Sequence, residues 1–534
     1  MSTHLSTRNV ALGLLVAVVG LAFWLRGGQS DESLWLDELH TAWVVADGVQ
    51  PLVPRAAAGN QSPLYFAGVW AVTRAVGFTE FGLRLPSILA GTALAAAVCL
   101  LVVRGTHCWS AGLLASALVA LDRHCVFYAQ EARPYALVQL VGLLHVLTFS
   151  CLVQRPRLAL RATWIAAGAV LFYLHYTAAL LFVAQLVYYA LWRGLRKLAR
   201  QDSPGAYAWT QLAVDVACLG ACLLPALPHL QEIAQRRQDW GAFVPARAWW
   251  RIWEIADLFP LVEYVGLPLA VLAAVWLWTK AFCRRPPAAA PRPATVKASR
   301  WPCFLLVACW FAVPLGIAWL VTAQGSTPLF FRRYLMVSAV APMLAAALCC
   351  AACPSGLGRG VLIVAVVGLS LDRGGMIAQW QQDGRVLADR NQDWQAAVRY
   401  IRARTQPDVP VFVRSGLIEA ERWYASPQPL HREYCLLPVL GLYRLDQPRN
   451  VLFPLPVQPA AFLSAEARRQ LAACGQAWCL IQGSDSSVAR FEQALRSSWS
   501  RAGVPPGSVQ RVSFEQVSVL HVTIGKSREK LPSP

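Results

Sequence analysis

Several groups of residues in this chain have the types and spacing to do chemistry on a hydroxylated or anionic substrate. The first is Trp35-Leu36-Asp37-Glu38, a carboxylate pair in the polar segment after an apolar run at residues 10–25. Charge beside a bilayer is costly, so carboxylates kept there are functional candidates by default. As a base, such a group takes the proton of an attacking hydroxyl. Asp37-Glu38-Leu39-His40 also imitates a helicase box, but no glycine-rich phosphate loop accompanies it. The second group is Gln61-Ser62-Pro63-Leu64-Tyr65 with Thr79-Glu80-Phe81-Gly82-Leu83-Arg84-Leu85-Pro86. The third, Tyr128-Ala129-Gln130-Glu131-Ala132-Arg133-Pro134-Tyr135, holds an acid, a cation and two phenols within eight residues. Tyr173-Leu174-His175-Tyr176 and Arg332-Arg333-Tyr334 complete the set. Arginines of this kind suit a developing negative charge on a phosphate leaving group.

The elements that must position these residues are membrane spans. Of 534 residues, 56% are hydrophobic and only 14% charged, outside the range of soluble domains. Apolar runs close to the ~20 residues a bilayer crossing needs occur at 10–25, 85–103, 109–121, 135–153, 162–174, 176–192, 209–227, 258–279, 301–321, 334–353 and 361–371. The runs ending at 121, 174 and 371 are short and must borrow flanking residues. The expected fold class is a polytopic α-helical membrane protein of about 11 spans.

Lysine and arginine collect in the loops that share a side with the amino terminus: Arg155, Arg157 and Arg161, then Arg193, Arg196, Lys197 and Arg200, then Lys280 through Arg300. With that side cytoplasmic, the pattern is positive-inside. The outer face then carries the loops 26–84, 122–134 and 228–260, His175, and everything after residue 371. The net charge of +19 is accordingly topogenic, and a nucleic-acid partner is not expected. The sequence expectation is a domain at 1–371 that spans the membrane, followed by an extracytoplasmic α/β domain at 372–534. In the latter, helices are expected at 393–403 and 487–499, and strands at 409–413, 477–481 and 517–523. Residues 284–300 read as a proline-rich linker. Residues 230–253 interleave arginine with tryptophan, as an interfacial anchor belt or a lipid-substrate groove would. Most of the 15 cysteines lie in apolar runs as small hydrophobes, and a Cys474–Cys479 disulfide is left open.

Taken in order, the motifs from Leu34 to Tyr135, with His175, resemble the membrane glycosyltransferases of the GT-C superfamily. Within it they are most similar to the dolichyl-phosphate-mannose protein mannosyltransferase-like family, which includes lipid A aminoarabinose transferases. The resemblance covers roughly residues 9–350. It implies transfer of a sugar from a polyprenyl-phosphate donor to an acceptor hydroxyl, with inversion, at the outer face of a membrane, the plasma membrane of a bacterium in the first instance. It also implies Asp37 and Glu38 as catalytic acids, and Arg84, Arg133, His175, Arg332 and Arg333 as contacts of the donor phosphate. Glu131 and Tyr135 are further candidates. Gln61-Ser62-Pro63 departs from the family, where a paired proline is common.

Each residue also has a plainer reading. Asp37 could cap the helix that follows it and Glu38 favour that helix's positive end. Glu131 and Arg133 could form a local ion pair, His175 could be an interfacial anchor, and Arg332-Arg333 could hold an ordinary lipid phosphate. Asp215, Glu263 and His145, in or near spans, are read as structural. The sugar, the acceptor (a protein, a lipid or a glycan) and a divalent metal are not legible. The rival functions are a transporter or flippase for a lipid-linked anion, and a non-catalytic binder of such lipids. A transporter would place its charges at the midplane of two repeated halves, whereas here they sit at span ends and no halves repeat.

Overall fold

The computed structural model describes residues 2–200, 207–237, 248–282, 301–387, 392–457 and 463–525. The expected linker at 284–300 and the 238–247 part of the tryptophan-rich loop lie outside the described residues. The chain divides into two units, one of Met1–Gln29 with Arg84–Leu387, the other of Ser30–Leu83 with Ala388–Pro534.

The first unit is helical and spans the membrane. Every expected apolar run falls largely on helix, but the expected count of about 11 spans is not confirmed. Among the described residues, seven helices are long and apolar enough to cross: Arg8–Gly27, Glu80–Thr106, Tyr135–Gln154, Tyr176–Leu198, Trp209–Gln235, Trp301–Ala323 and Arg332–Ala352. Two pairs, Trp109–Leu121 with Arg123–Ala129 and Gly356–Gly374 with Met376–Asp383, are bent by 60° and 46° and raise the count to nine if each is one span. The runs within Leu158–Leu174 and Val262–Trp278 form shorter apolar helices. At 1.5 Å per residue such a helix reaches about 26 Å, less than the ~30 Å of a hydrocarbon core.

The first bend has a clear cause and two compensations. Asp122 interrupts the span and caps the next helix, its Oδ1 accepting from the Cys125 N–H at 2.8 Å. Its Oδ2 accepts from the Tyr264 hydroxyl at 2.9 Å, and Tyr264 lies 2.9 Å from Ser370 Oγ. The break frees carbonyls that water cannot satisfy in a bilayer. The fully buried Arg26 takes two of them, donating to Val119 O at 2.8 Å and Ala120 O at 3.3 Å.

The three polar residues read as structural each have a partner. Arg161 grips Asp215 with bonds of 2.7 to 2.9 Å, and Glu263 pairs with Arg373 at 3.4 Å. His145 Nδ1 lies 2.9 Å from the Gln185 amide, which in turn accepts from Trp164 Nε1 at 2.9 Å.

The second unit is built on a five-stranded sheet of order β2-β1-β3-β5-β4, with β1 Val411–Arg414, β2 Leu452–Pro454, β3 Gln476–Gln482, β4 Pro506–Phe514 and β5 Val517–Ile524. Strands β1, β2 and β3 run parallel, and β5 and β4 continue the sheet antiparallel. Helices Ala465–Cys474 and Asp485–Arg501 supply Leu471, Phe491 and Trp499 to the core beneath Phe412, Cys479 and Leu520. The expected helices and strands are all present. Strands β2 and β4 were not expected: β2 is only three residues long, and the Pro-Gly start and polar alternation of β4 mask an edge strand. Cys474 and Cys479 are both free thiols, so the disulfide left open by the sequence is not formed.

Segment Ser30–Leu83, expected as an outer loop, folds into helices Leu36–Ala46, Leu52–Ala58 and Leu64–Val76 within this unit. The tie is Arg55, 4% exposed, which donates to Trp43 O at 2.8 Å and pairs with Asp47 at 2.7 Å and Glu433 at 3.3 Å while lying over the Trp43 ring. Removing one partner of such a buried set strands the others. Arg55→Met is expected to cost about 3 kcal/mol, read as a lowered Tm of the purified protein; an unchanged Tm would show that the network contributes nothing net. Burial alone would raise the Asp47 carboxyl, yet the Arg55 hydrogen bond and the charges of Arg55, Arg444 and Arg449 hold it below its usual value. Its contribution is therefore full above about pH 4 and lost as the pH falls through the lower folded value. In Asp47→Asn the Tm should vary less with pH between about 5 and 3; parallel curves for variant and wild type would contradict this.

Candidate functional site

Asp37 and Glu38 lie in the first turn of helix Leu36–Ala46, where negative charge is favoured by the helix's positive end. Trp35, extended at φ −85° and ψ 172°, occupies the N-cap position, so Asp37 is not the cap. Glu38 is fully buried, and its Oε2 accepts the Trp35 N–H at 3.4 Å. Asp37 is half-buried. The pair thus separates into a carboxylate turned to the backbone and one that water and solutes reach. The start of the helix is fixed by the sheet-bearing part of the same unit: Leu36 N–H donates to Gln392 Oε1 at 3.1 Å, and Leu34 N–H to the Tyr443 hydroxyl at 2.8 Å.

In the membrane unit, the structure brings Glu131, Arg133, Tyr135, His175, Arg332 and Arg333 into one neighbourhood. Gln130, Glu131 and Arg133 are all buried. The turn they form is held by Ser87 Oγ donating to Arg133 O at 2.8 Å and by the Gln130 side chain, whose Nε2 donates to Leu25 O at 2.7 Å. Pro134 then opens helix Tyr135–Gln154. The Tyr135 ring lies 4.9 Å from Tyr128 and 5.8 Å from His175, and His175 lies 5.9 Å from Tyr334. The Arg333 guanidinium sits over Phe331 at 5.0 Å and Tyr334 at 5.4 Å. Both arginines of the pair, with Glu131, are within electrostatic reach of the Tyr128 hydroxyl. Arg332 also spends its Nε on Leu258 O at 2.7 Å. Arg84 is fully buried at the start of the span Glu80–Thr106.

His175 is placed by a break. Helix Leu158–Leu174 ends there in extended backbone, φ −160° and ψ 115°, and a 3-10 turn restarts the chain at Tyr176–Ala179. Thr177 Oγ1 lies 2.7 Å from His175 Nδ1 and donates to Tyr334 O at 2.7 Å. With its one proton so used, Thr177 accepts from Nδ1–H, which leaves Nε2 as the imidazole's acceptor. Burial, then the charges of Arg133 and Arg333, push the His175 pKa down to about 3, so the ring is neutral at physiological pH. A phosphate here would meet two guanidinium groups and a neutral imidazole.

Nearby in the same unit, a cavity of about 370 Å³ is lined by Asp122, His124, Glu263, Tyr264, Ser370 and Arg373. Among the described residues no three His, Cys, Asp or Glu side chains converge in a way that could hold a metal ion.

Sequence reasoning missed Thr177, Gln392 and Arg55. Thr177 had a local signal, one residue beyond the His175-Tyr176 motif; Gln392 had none, because its partner is 356 positions away.

The fold and the sequence can be set beside known proteins. Residues 60–222 match the family model of dolichyl-phosphate-mannose-protein mannosyltransferases. No curated protein matches the chain in sequence. Among solved structures, ArnT from Cupriavidus metallidurans bound to undecaprenyl phosphate is similar at 14% identity and a TM-score of 0.53, over 98% of this chain and 99% of that one. The same protein in the apo state gives 13% identity and a TM-score of 0.40, over 96% and 98%. At this identity the likeness to the first of these structures is one of fold, a polytopic helical membrane protein that also carries a small sheet-bearing unit, and the family match is confined to the 60–222 segment.

Proposed function

We propose that this chain transfers a sugar from a polyprenyl-phosphate donor to an acceptor hydroxyl at the outer face of a bacterial plasma membrane, by a single displacement that inverts the anomeric centre. The observation that carries the reading is the gathering of Arg133, Arg333 and neutral His175 among the rings of Tyr135 and Tyr334. In the reaction the acceptor oxygen bonds to the anomeric carbon while the bond from that carbon to the phosphate oxygen breaks, its electron pair leaving with the polyprenyl phosphate. The carbon passes through an oxocarbenium-like state. Arg133 and Arg333 stabilise the charge that grows on the departing phosphate, in a poorly hydrated setting where such stabilisation is large. His175 Nε2 accepts a hydrogen bond from a donor hydroxyl. Arg84 and Arg332 add positive potential.

Asp37, the accessible member of its pair, takes the proton from the acceptor hydroxyl. Glu38, turned to the Trp35 N–H, holds the start of the helix. The positive-inside pattern of the loops supports an extracytoplasmic position for the sheet-bearing unit. The test is consumption of radiolabelled polyprenyl-phosphate sugars by the purified protein, wild type against Asp37→Asn. Consumption by wild type alone supports the reading; no binding of polyprenyl phosphate or any donor overturns it in favour of a transporter.

A further inference from the structure

The face of the sheet turned away from the Phe412 and Trp499 core carries a second cavity, of about 310 Å³, which the transfer reaction does not use. Its lining follows from strand register. Trp478 on β3 stands opposite His521 on β5, which stands opposite Gln510 on β4, so the three side chains form a row across the sheet. Helix Trp394–Arg402 lays Tyr400 beside this row, and Arg404 follows just after the helix.

The rings meet at ordered angles. His521 stacks on Trp478 at 4.3 Å and 29°, Tyr400 meets Trp478 nearly edge-on at 6.1 Å and 82°, and the Arg404 guanidinium covers the Tyr400 ring at 3.9 Å. His521 Nε2 lies 3.0 Å from Gln476 Oε1. Burial lowers the His521 pKa, so the ring is neutral and, with Nε2–H donating to the amide, offers Nδ1 as an acceptor. Val512 and Val519 close the wall.

We propose that this cavity binds a hexose ring of a glycan. A pyranose has one face of C–H groups and a rim of hydroxyls. The first suits aromatic walls; the second suits groups that donate and accept from fixed planes, here two amides, an imidazole and a guanidinium. No carboxylate lines the cavity to attract a cation, and four of its eight lining side chains, Arg404, Gln476, Gln510 and His521, are polar or charged, which disfavours an acyl chain. The volume is at the lower end of small-molecule sites and fits one or two sugar rings. The inference rests on the transferase reading for its biological sense, since such a site would hold an acceptor glycan on the enzyme.

Saturation-transfer NMR tests it, on the full chain in lipid nanodiscs, which carry no sugar-based detergent, with methyl α-mannopyranoside and methyl α-mannobioside as probes. Gln510→Ala and Arg404→Ala change exposed residues and leave the core intact. The expected result is saturation of ring C–H protons in wild type and at least a fivefold weaker affinity in each variant, with donor consumption in the absence of glycan unchanged. Equal saturation in wild type and both variants, or none in wild type with either probe, overturns the proposal. Donor consumption is read separately: a wild type that consumes no donor yet shows variant-sensitive saturation keeps the sugar site and loses the transferase reading.

Discussion

Asp37→Asn is expected to lower the rate of sugar transfer about 1,000-fold, in the middle of the range for loss of a general base. The amide keeps the shape of the side chain and one acceptor oxygen but cannot take a proton from the acceptor. Because Asp37 is not the helix cap and is only half-buried, the helix start stays held by Glu38, Gln392 and Tyr443. Tm should therefore change little, and polyprenyl phosphate should bind as before. A loss that appears in kcat rather than KM assigns the group to the transition state. A well-folded Asp37→Asn protein with transfer within a few-fold of wild type would remove Asp37 from the mechanism. Glu38→Gln gives the contrast, because Glu38 is expected to act through the helix and to show its effect in stability as well as rate.

Arg133→Gln is expected to lower kcat by roughly 100- to 1,000-fold, the scale for loss of one strong electrostatic contact to a developing anion. The substitution is informative because the turn at Arg133 is fixed by its backbone, the carbonyl accepting from Ser87 Oγ, and not by the side chain alone. Loss of the guanidinium should also weaken product inhibition by polyprenyl phosphate and raise the His175 pKa, since Arg133 is one of the charges that lowers it. The last effect can be followed by the pH dependence of transfer: where wild type shows no break from His175 near neutrality, the variant's break should move toward the accessible range. Transfer within threefold of wild type, with product affinity unchanged, would mean that Arg133 does not meet the phosphate.

Much of the membrane unit was legible because its physics is local. A run of apolar residues must be a helix in a bilayer, where every backbone group needs a partner within reach, and all the expected runs are largely helical. The number of spans was not legible. Length and hydropathy mark the runs ending at 121 and 174 as short, but they do not reveal the 60° bend at Asp122 or how short runs combine into crossings. Arg26 shows the same limit: in sequence it is one more cation at the end of a span, and only the break at Asp122 supplies the carbonyls it satisfies. In the sheet-bearing unit, Trp394–Arg402 and β5 announce themselves by periodicity, whereas β2 exists only because β1 offers it an edge.

By itself, then, the chain's order of residues determined a helical membrane protein, the positions of its apolar runs, and which acids, arginines and histidine could do chemistry, because composition and spacing act within a few turns of the chain. Tertiary structure decided the rest. It separated Asp37 from Glu38 by burial, made His175 neutral by surrounding it with protein and two arginines, and folded Ser30–Leu83 into one unit with residues some 350 positions away. Burial, charge proximity and packing depend on distances in space, and sequence separation carries no record of them.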